Sequence, residues 1–314
     1  MKIAIIGPGF MPIPPRGWGA VESLIWDYYV TLTKMDYDVT IINENNPQII
    51  IEKANQNFDV VHIHYDDWVY LSEFIKCDTI LATSHYAYLE QESKHGNYSN
   101  IFKQFLINEK INIFALSEGI KKTYIRNGFP ENKIFVVPNG VQNSLFSFSE
   151  NPEDKSIYLA KIDFRKSQYK YHNIENLYFA GNISDERYNK NNYLGEWNKK
   201  FLYKNLTNFS NLVLLSDGEA HPLVCMEAMS AGLGLVISQY ASANLDTTKE
   251  FIDVIPNEKL NDIEYVKNII LSNREKSKKL RNEIRAYSCE NFDWNFIIKN
   301  KYLPTIGKTI ENEK

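Results

Sequence analysis

Cysteine is scarce in this chain: Cys77, Cys225 and Cys289 are the only three among 314 residues, and no two form a CxxC pair. Such spacing offers neither a disulfide framework nor a zinc site, and it fits a reducing, cytoplasmic setting. Long apolar runs are missing as well. The opening Met1-Lys2-Ile3-Ala4-Ile5-Ile6 stops at Gly7 and Pro8, too short for a signal-peptide core, and no later segment approaches the roughly 18 apolar residues of a spanning helix. Nor is there an excess of positive charge. The 35 Lys and Arg face 39 Asp and Glu, a net charge of -4, which leaves no electrostatic footprint for nucleic acid. Low-complexity tracts are absent. What remains is a mixed sequence, 44% hydrophobic and long enough for two cores.

Short β-rich runs alternate with segments of helical period, the pattern of a parallel sheet covered by helices. Ile3–Ile6, Val39–Ile42 and Asp59–His64 read as the first three strands, and Val21, Leu24, Ile25, Tyr28 and Leu32 recur between them at helical spacing. Thr79–Thr83, Asn112–Leu116 and Lys133–Val137 continue the series up to Pro138-Asn139-Gly140. Ser147–Lys155, polar and interrupted by Pro152, is the best linker. A second series follows at Ile157–Ala160, Leu177–Ala180, Leu212–Leu215 and Leu235–Ser238, with helices over Lys199–Phe209 and Leu223–Ala231. The expected fold is α/β, two doubly wound, Rossmann-like parallel-sheet domains. In such sheets ligands gather beyond the carboxyl ends of the strands, so two facing domains define a cleft.

The most specific string is Ser216-Asp217-Gly218-Glu219-Ala220-His221-Pro222-Leu223-Val224-Cys225-Met226-Glu227. Glu219 falls in the loop after a strand and Glu227 in the following helix. Pro222 suits a first turn, where its missing N–H costs nothing, and the free amides of Leu223, Val224 and their neighbours suit a diphosphate. A loop carboxylate can accept from sugar hydroxyls, and one deeper in the helix from a ribose diol. The plain alternative is a pair of surface glutamates about a helix start.

This string resembles the E-x7-E motif of family 4, a large family of retaining glycosyltransferases with the GT-B fold. Gly17-Trp18-Gly19-Ala20-Val21-Glu22 resembles that family's glycine-rich loop, Ile134–Val141 its close of the first domain, and Lys161 with Lys166 its basic pair five residues apart. The family usually has Arg at the first of these places; Lys161 keeps the charge without the bidentate geometry, and Arg165 can share the role. The resemblance implies a Rossmann-like acceptor domain over 1–146, joined by a C-terminal helix at about 291–314, and a nucleotide-sugar donor domain over 147–290. It implies Glu219, Lys161, Lys166 and His85 as catalytic, with Gly17, Gly19, Arg165, His221, Pro222, Leu223, Val224 and Glu227 at the donor. Trp18, His64 and Asp66 are acceptor candidates. Two cations can neutralise a leaving nucleoside diphosphate without a metal, so no cofactor is expected.

Other features have plainer readings. Gly7-Pro8-Gly9 starts a dinucleotide motif whose third glycine is replaced by Pro12. His62, His64 and His85 lie at carboxyl ends of strands on the ligand side, but without metal-site spacing; His62 reads as structural. Asp66-Asp67 reads as an N-cap or an acceptor contact. Asp262–Tyr287 carries seven basic residues with interleaved glutamates, which suggests a solvated helix face and allows peripheral contact with an anionic membrane.

The functional expectation is a metal-independent retaining enzyme that moves a hexose-type sugar from a UDP- or GDP-sugar to a glycan, lipid or other acceptor. Two rivals share the architecture: a nucleotide-sugar epimerase, which needs no acceptor, and a non-catalytic sugar-nucleotide-binding subunit.

Overall fold

The computed structural model describes residues 1–17 and 19–312. The chain divides into two compact units, Met1–Asn139 with Trp294–Lys314, and Gly140–Asp293.

The first unit runs β1 (Lys2–Ile6), α1 (Ala20–Lys34), β2 (Asp38–Ile42), α2 (Pro47–Ala54), β3 (Val60–Ile63), a 3₁₀ segment (Asp66–Phe74), β4 (Thr79–Ala82), α3 (Tyr98–Ile107), β5 (Ile111–Ala115), α4 (Glu118–Arg126) and β6 (Ile134–Val136). All six strands are parallel, in the order β2-β1-β3-β4-β5-β6. Helices cover both faces of such a sheet, which is why β3, β4 and β5 are buried at every residue and are mostly apolar, with His62, Thr79 and Asn112 as the polar members. The helical spacing in α1 puts Leu24, Ile25, Tyr28 and Leu32 in the core, each contributing about 1.5–3 kcal/mol by burial.

The Gly7-Pro8-Gly9 turn packs on the chain that leaves β2. Gly9 donates its N–H to Asn43 Oδ1 at 2.9 Å, and at its φ of +81° an added Cβ would lie 2.2 Å from the Glu44 carbonyl oxygen. Only glycine fits a left-handed residue this close to a neighbouring backbone. Gly9→Ala is expected to cost about 2 kcal/mol, read as a lower urea midpoint; a midpoint equal to that of the wild type would contradict the packing argument.

The second unit runs β7 (Ser156–Leu159), β8 (Leu177–Ala180), α5 (Lys199–Asn205), β9 (Asn211–Leu214), α6 (Leu223–Ser230), β10 (Gly234–Ser238), β11 (Ile252–Ile255), α7 (Ile263–Lys279) and α8 (Arg281–Phe292). Its five parallel strands are ordered β11-β10-β9-β7-β8. The chain then rejoins the first unit through α9 (Trp294–Ile297), a π turn (Ile298–Tyr302) and α10 (Leu303–Asn312). Trp294 anchors the return: its indole N–H donates to Asp27 Oδ2 at 3.1 Å and its ring lies against Tyr28.

Two expectations from the sequence shift. The unit boundaries fall at Asn139 and Trp294 rather than at 146 and 291. Val141 N–H donates to Phe292 O at 2.7 Å, and Asn143 Oδ1 accepts from the Ser230 and Ser288 hydroxyls at 2.7 and 3.0 Å, so residues 140–146 are built into the second unit. The basic stretch 262–287 is two helices that meet at Leu280, and it is not a uniformly solvated face. Arg274 and Arg281 are buried; Arg281 donates to the carbonyls of Ser149, Phe209, Thr207 and Ala231. Those donors close loop ends that would otherwise be buried without partners. Among the described residues no helix is long and apolar enough to cross a membrane.

Candidate active site

In the second unit the loops that follow β7 and β9 are laced together. Tyr158, wholly buried in β7, donates its hydroxyl to Lys166 O at 2.7 Å and accepts from the Leu215 N–H at 2.9 Å. Asp217 N–H donates to Arg165 O at 3.1 Å. This lacing carries Lys166 and Arg165 to Glu219. Lys166 Nζ is ion-paired with Glu219 Oε1, Arg165 lies 3.2 Å from the same oxygen, and its guanidinium also donates to Gly218 O. The pair is largely out of water, with Lys166 8% and Glu219 13% exposed at the side chain. Burial alone would raise the Glu219 pKa. The charges of Lys166 and Arg165, with hydrogen bonds from Lys166 and Ser216, outweigh it and hold the carboxyl below its usual value.

Eight residues on, Glu227 sits one turn into α6 and is ion-paired with Lys199, the first residue of α5. Lys199 was not picked out in the sequence, where it is one of several lysines near a helix start. Asn198 caps α5 by accepting from Phe201 N–H at 2.9 Å, which fixes Lys199 in the first turn. Pro222 is the N-cap of α6, one place before the expected first turn, and no side chain caps that helix. By helix geometry the amides of Leu223 and Val224 have no intrahelical acceptor, and both residues are only partly buried. His221 is buried, its ring 6.3 Å from that of Phe292. Lys161 stands apart from this cluster: it is exposed just beyond β7, and its carbonyl accepts from Gln168 Nε2 at 2.9 Å.

In the first unit the three histidines form a row. His62 Nε2 is 2.9 Å from Thr83 Oγ1, His62 Nδ1 is 3.1 Å from His64 Nε2, and His64 Nδ1 is 3.1 Å from His85 Nε2. Tyr302, from the π turn, places its hydroxyl 3.2 Å from His62 Nδ1. His62 and His64 are buried and His85 is partly exposed. Burial depresses all three imidazoles, His62 to about 3 and His85 to about 4, and the neighbouring rings push His62 and His64 down further. The row is therefore neutral at pH 7. Among the described residues no group of three His, Cys, Asp or Glu side chains is placed to hold a metal ion.

Asp66 does not cap the 3₁₀ segment, and its carboxylate is already engaged. It accepts from Ser84 Oγ and Tyr98 OH, each at 2.6 Å, and from the His85 N–H. It thus braces the loop that carries His85, which leaves little capacity for an acceptor. Burial raises its pKa to about 6, Asp67 adds to the rise, and the three donated hydrogen bonds oppose it. Gly17 and Gly19 flank Trp18, which lies outside the described residues. Gly19 is the N-cap of α1 at a φ of +139°; an added Cβ would lie 3.0 Å from Glu22 Oε2 and 3.1 Å from Pro15 Cβ.

Comparison with known proteins follows the same lines. Residues 44–144 match the family model Glycosyltransferase Family 4. No curated protein matches the chain in sequence. Solved structures match it end to end. Sucrose-phosphate synthase from Thermosynechococcus elongatus is 16% identical, with 100% of each chain covered and a TM-score of 0.77. HepE of Anabaena, solved in complex with UDP, is 14% identical, with 99% of this chain and 100% of that one covered and a TM-score of 0.71. AviGT4, a glycosyltransferase involved in avilamycin A biosynthesis, is 12% identical, with 99% and 98% covered and a TM-score of 0.70. At these identities the likeness establishes the fold, two parallel-sheet α/β units of the GT-B kind. The family match covers residues 44–144, about a third of the chain and almost wholly in the first unit, and the GT-B fold runs along the whole chain.

Proposed function

We propose that the chain moves a hexose-type sugar from a UDP- or GDP-sugar to a hydroxyl of a glycan, lipid or other acceptor, with retention and without a metal. The observation that carries this reading is the cluster at the start of α6: Glu219 held by Lys166 and Arg165, the amides of Leu223 and Val224, and Glu227 held by Lys199. The helix amides and the cations of Lys166 and Arg165 suit the diphosphate, whose charge grows as the bond from the anomeric carbon to the phosphate oxygen breaks. Lys161, exposed beyond β7, adds charge at longer reach. Glu219 takes sugar hydroxyls and Glu227 the ribose diol. Two further points favour a uridine donor and retention: HepE of Anabaena was solved with UDP-glucose, and the motifs resemble those of a retaining family.

The test is incubation with a panel of UDP- and GDP-sugars, with and without acceptors, with the anomeric configuration of the product read by NMR. Release of nucleoside diphosphate that depends on acceptor supports transfer; interconversion of the donor alone would replace it with epimerisation. Glu227→Gln is expected to raise the donor KM about tenfold with kcat changed much less, because a ribose contact is made equally in ground and transition states. An unchanged KM would take Glu227 out of the ribose role.

A further inference from the structure

Of the three acceptor candidates in the first unit, His64 is buried, the Asp66 carboxylate is already engaged, and Trp18 lies outside the described residues. What the carboxyl ends of the strands do present is aromatic. β1 and β3 are neighbours, paired Ile6 to Ile63, and their loops leave side by side, with His64 N–H donating to Ile6 O at 2.9 Å. Phe10 follows β1, Tyr65 follows β3, and Trp68 comes one 3₁₀ turn later, its N–H donating to Tyr65 O at 2.9 Å. The three rings abut. Phe10 meets Tyr65 edge to face, centroids 5.6 Å apart at 79°, and Tyr65 meets Trp68 in the same manner at 5.7 Å and 66°. Phe10 is nonetheless 65% exposed, and Tyr65 and Trp68 are partly exposed. A lone surface phenylalanine needs no explanation, but rings in contact at the ligand end of a parallel sheet do.

Their surroundings narrow the occupant. Tyr65 donates its hydroxyl to the carboxylate of Asp67, which is exposed, so the edge of the aromatic row carries hydrogen-bond acceptors and negative charge. A phosphate, whether on a lipid headgroup or a nucleotide, is repelled there. A purely apolar chain would take the carboxylate out of water with no donor in return. A neutral sugar satisfies both halves. The axial C–H bonds on one face of a pyranose carry partial positive charge and lie on the electron-rich face of an aromatic ring, while hydroxyls at its edge donate to a carboxylate.

We propose that Phe10, Tyr65 and Trp68, with the Asp67 carboxylate, form a subsite for a neutral pyranose of a glycan acceptor. Phe10 supplies the most open face, Tyr65 holds Asp67 through its hydroxyl, and Trp68 backs Tyr65. That the sugar is the acceptor rests on the glycosyl-transfer reading; that it binds these rings does not.

Saturation-transfer NMR on the whole protein, without nucleotide, tests the subsite with the methyl α- and β-glycosides of glucose, galactose and mannose. At least one is expected to bind, with saturation strongest at the C–H protons of one ring face. Phe10→Ala is expected to weaken it about tenfold, the worth of one stacked ring, and Phe10→Tyr, which keeps the ring, to restore it. Asp67→Asn is expected to weaken it severalfold, because an amide oxygen is a poorer acceptor than a carboxylate. Both side chains are exposed, so both variants are expected to fold, and each reads the subsite without the other. In transfer assays with UDP- and GDP-sugars, Phe10→Ala is expected to raise the KM of a glycan acceptor about tenfold. The proposal is overturned if no glycoside binds, if wild type and Phe10→Ala bind equally, or if Phe10 instead supports binding to phosphatidylglycerol vesicles. Should no donor be turned over, the transfer reading falls, and the glycoside titrations still decide the subsite.

Discussion

Lowering the pH from 7.5 to 4.5 is expected to lower stability, mostly that of the first unit. The cause is the buried histidine row. His62 has a folded pKa of about 3 against an ordinary value of 6.5, so between those values the unfolded chain binds the extra proton. Stability from such a group is complete above pH 6.5 and falls on acidification by about 1.4 kcal/mol per pH unit, or about 2.7 kcal/mol for His62 by pH 4.5. His64 acts in the same direction, and His85 adds less because solvent reaches it. Asp66 opposes them. Its folded pKa of about 6 lies above the ordinary 3.8, so the folded state gains the proton, and about 2 kcal/mol returns by pH 4.5. The carboxyls held low, Glu219, Asp185 and Glu92, give up their contribution only below the ordinary carboxylate range. Urea titrations followed by tryptophan fluorescence suit the measurement, since among the described residues Trp26, Trp68 and Trp294 belong to the first unit and Trp197 to the second. His62→Gln should flatten the pH slope between 6.5 and 4.5. Equal stability at the two pH values in the wild type would mean that the row accepts a proton without cost.

The strands were legible because parallel sheets bury both faces: Ile3–Ile6 and Leu235–Ile237 announce themselves as unbroken apolar runs. β11 was not, because Asp253 breaks Ile252–Ile255; that carboxylate is paired with Lys276 of α7, a partner no local pattern reveals. α2 escaped because only Ile50 and Ala54 of its eight residues are buried, a stripe too narrow for a periodic signal. At the site, Glu219 and Glu227 could be found by spacing, and Arg165 and Lys166 by adjacency. Lys199 and Tyr302 could not: they reach Glu227 and His62 across 28 and 240 residues of sequence. The largest misreading concerned charge. Arg274 and Arg281 stand in a run that looks solvated, yet both guanidiniums are buried against backbone carbonyls and hydroxyls. Sequence shows that an arginine is near other charges; it does not show which loop ends need a donor.

Glu219→Gln is expected to lower turnover about 100-fold while tightening the binding of UDP or GDP. On the proposed reading the two effects have one origin. Glu219 is the counter-charge of Lys166 and Arg165 and the acceptor for sugar hydroxyls. Removing its charge leaves two cations short of a partner, which favours a free diphosphate. The sugar loses the contact that orients its anomeric carbon, which lowers kcat. Calorimetric titration with the nucleoside diphosphates and steady-state rates with the matching sugar donor separate the two. Turnover within threefold of the wild type, or weaker diphosphate binding, would count against the assignment. The same substitution should also destabilise the fold, because Lys166 is 8% exposed and keeps a charge whose partner has gone. The double variant Lys166→Met/Glu219→Gln removes both charges, and it should recover stability without recovering activity. That contrast distinguishes an ion pair needed for transfer from one that only holds two loops together, because the double variant tests the loops without the charges.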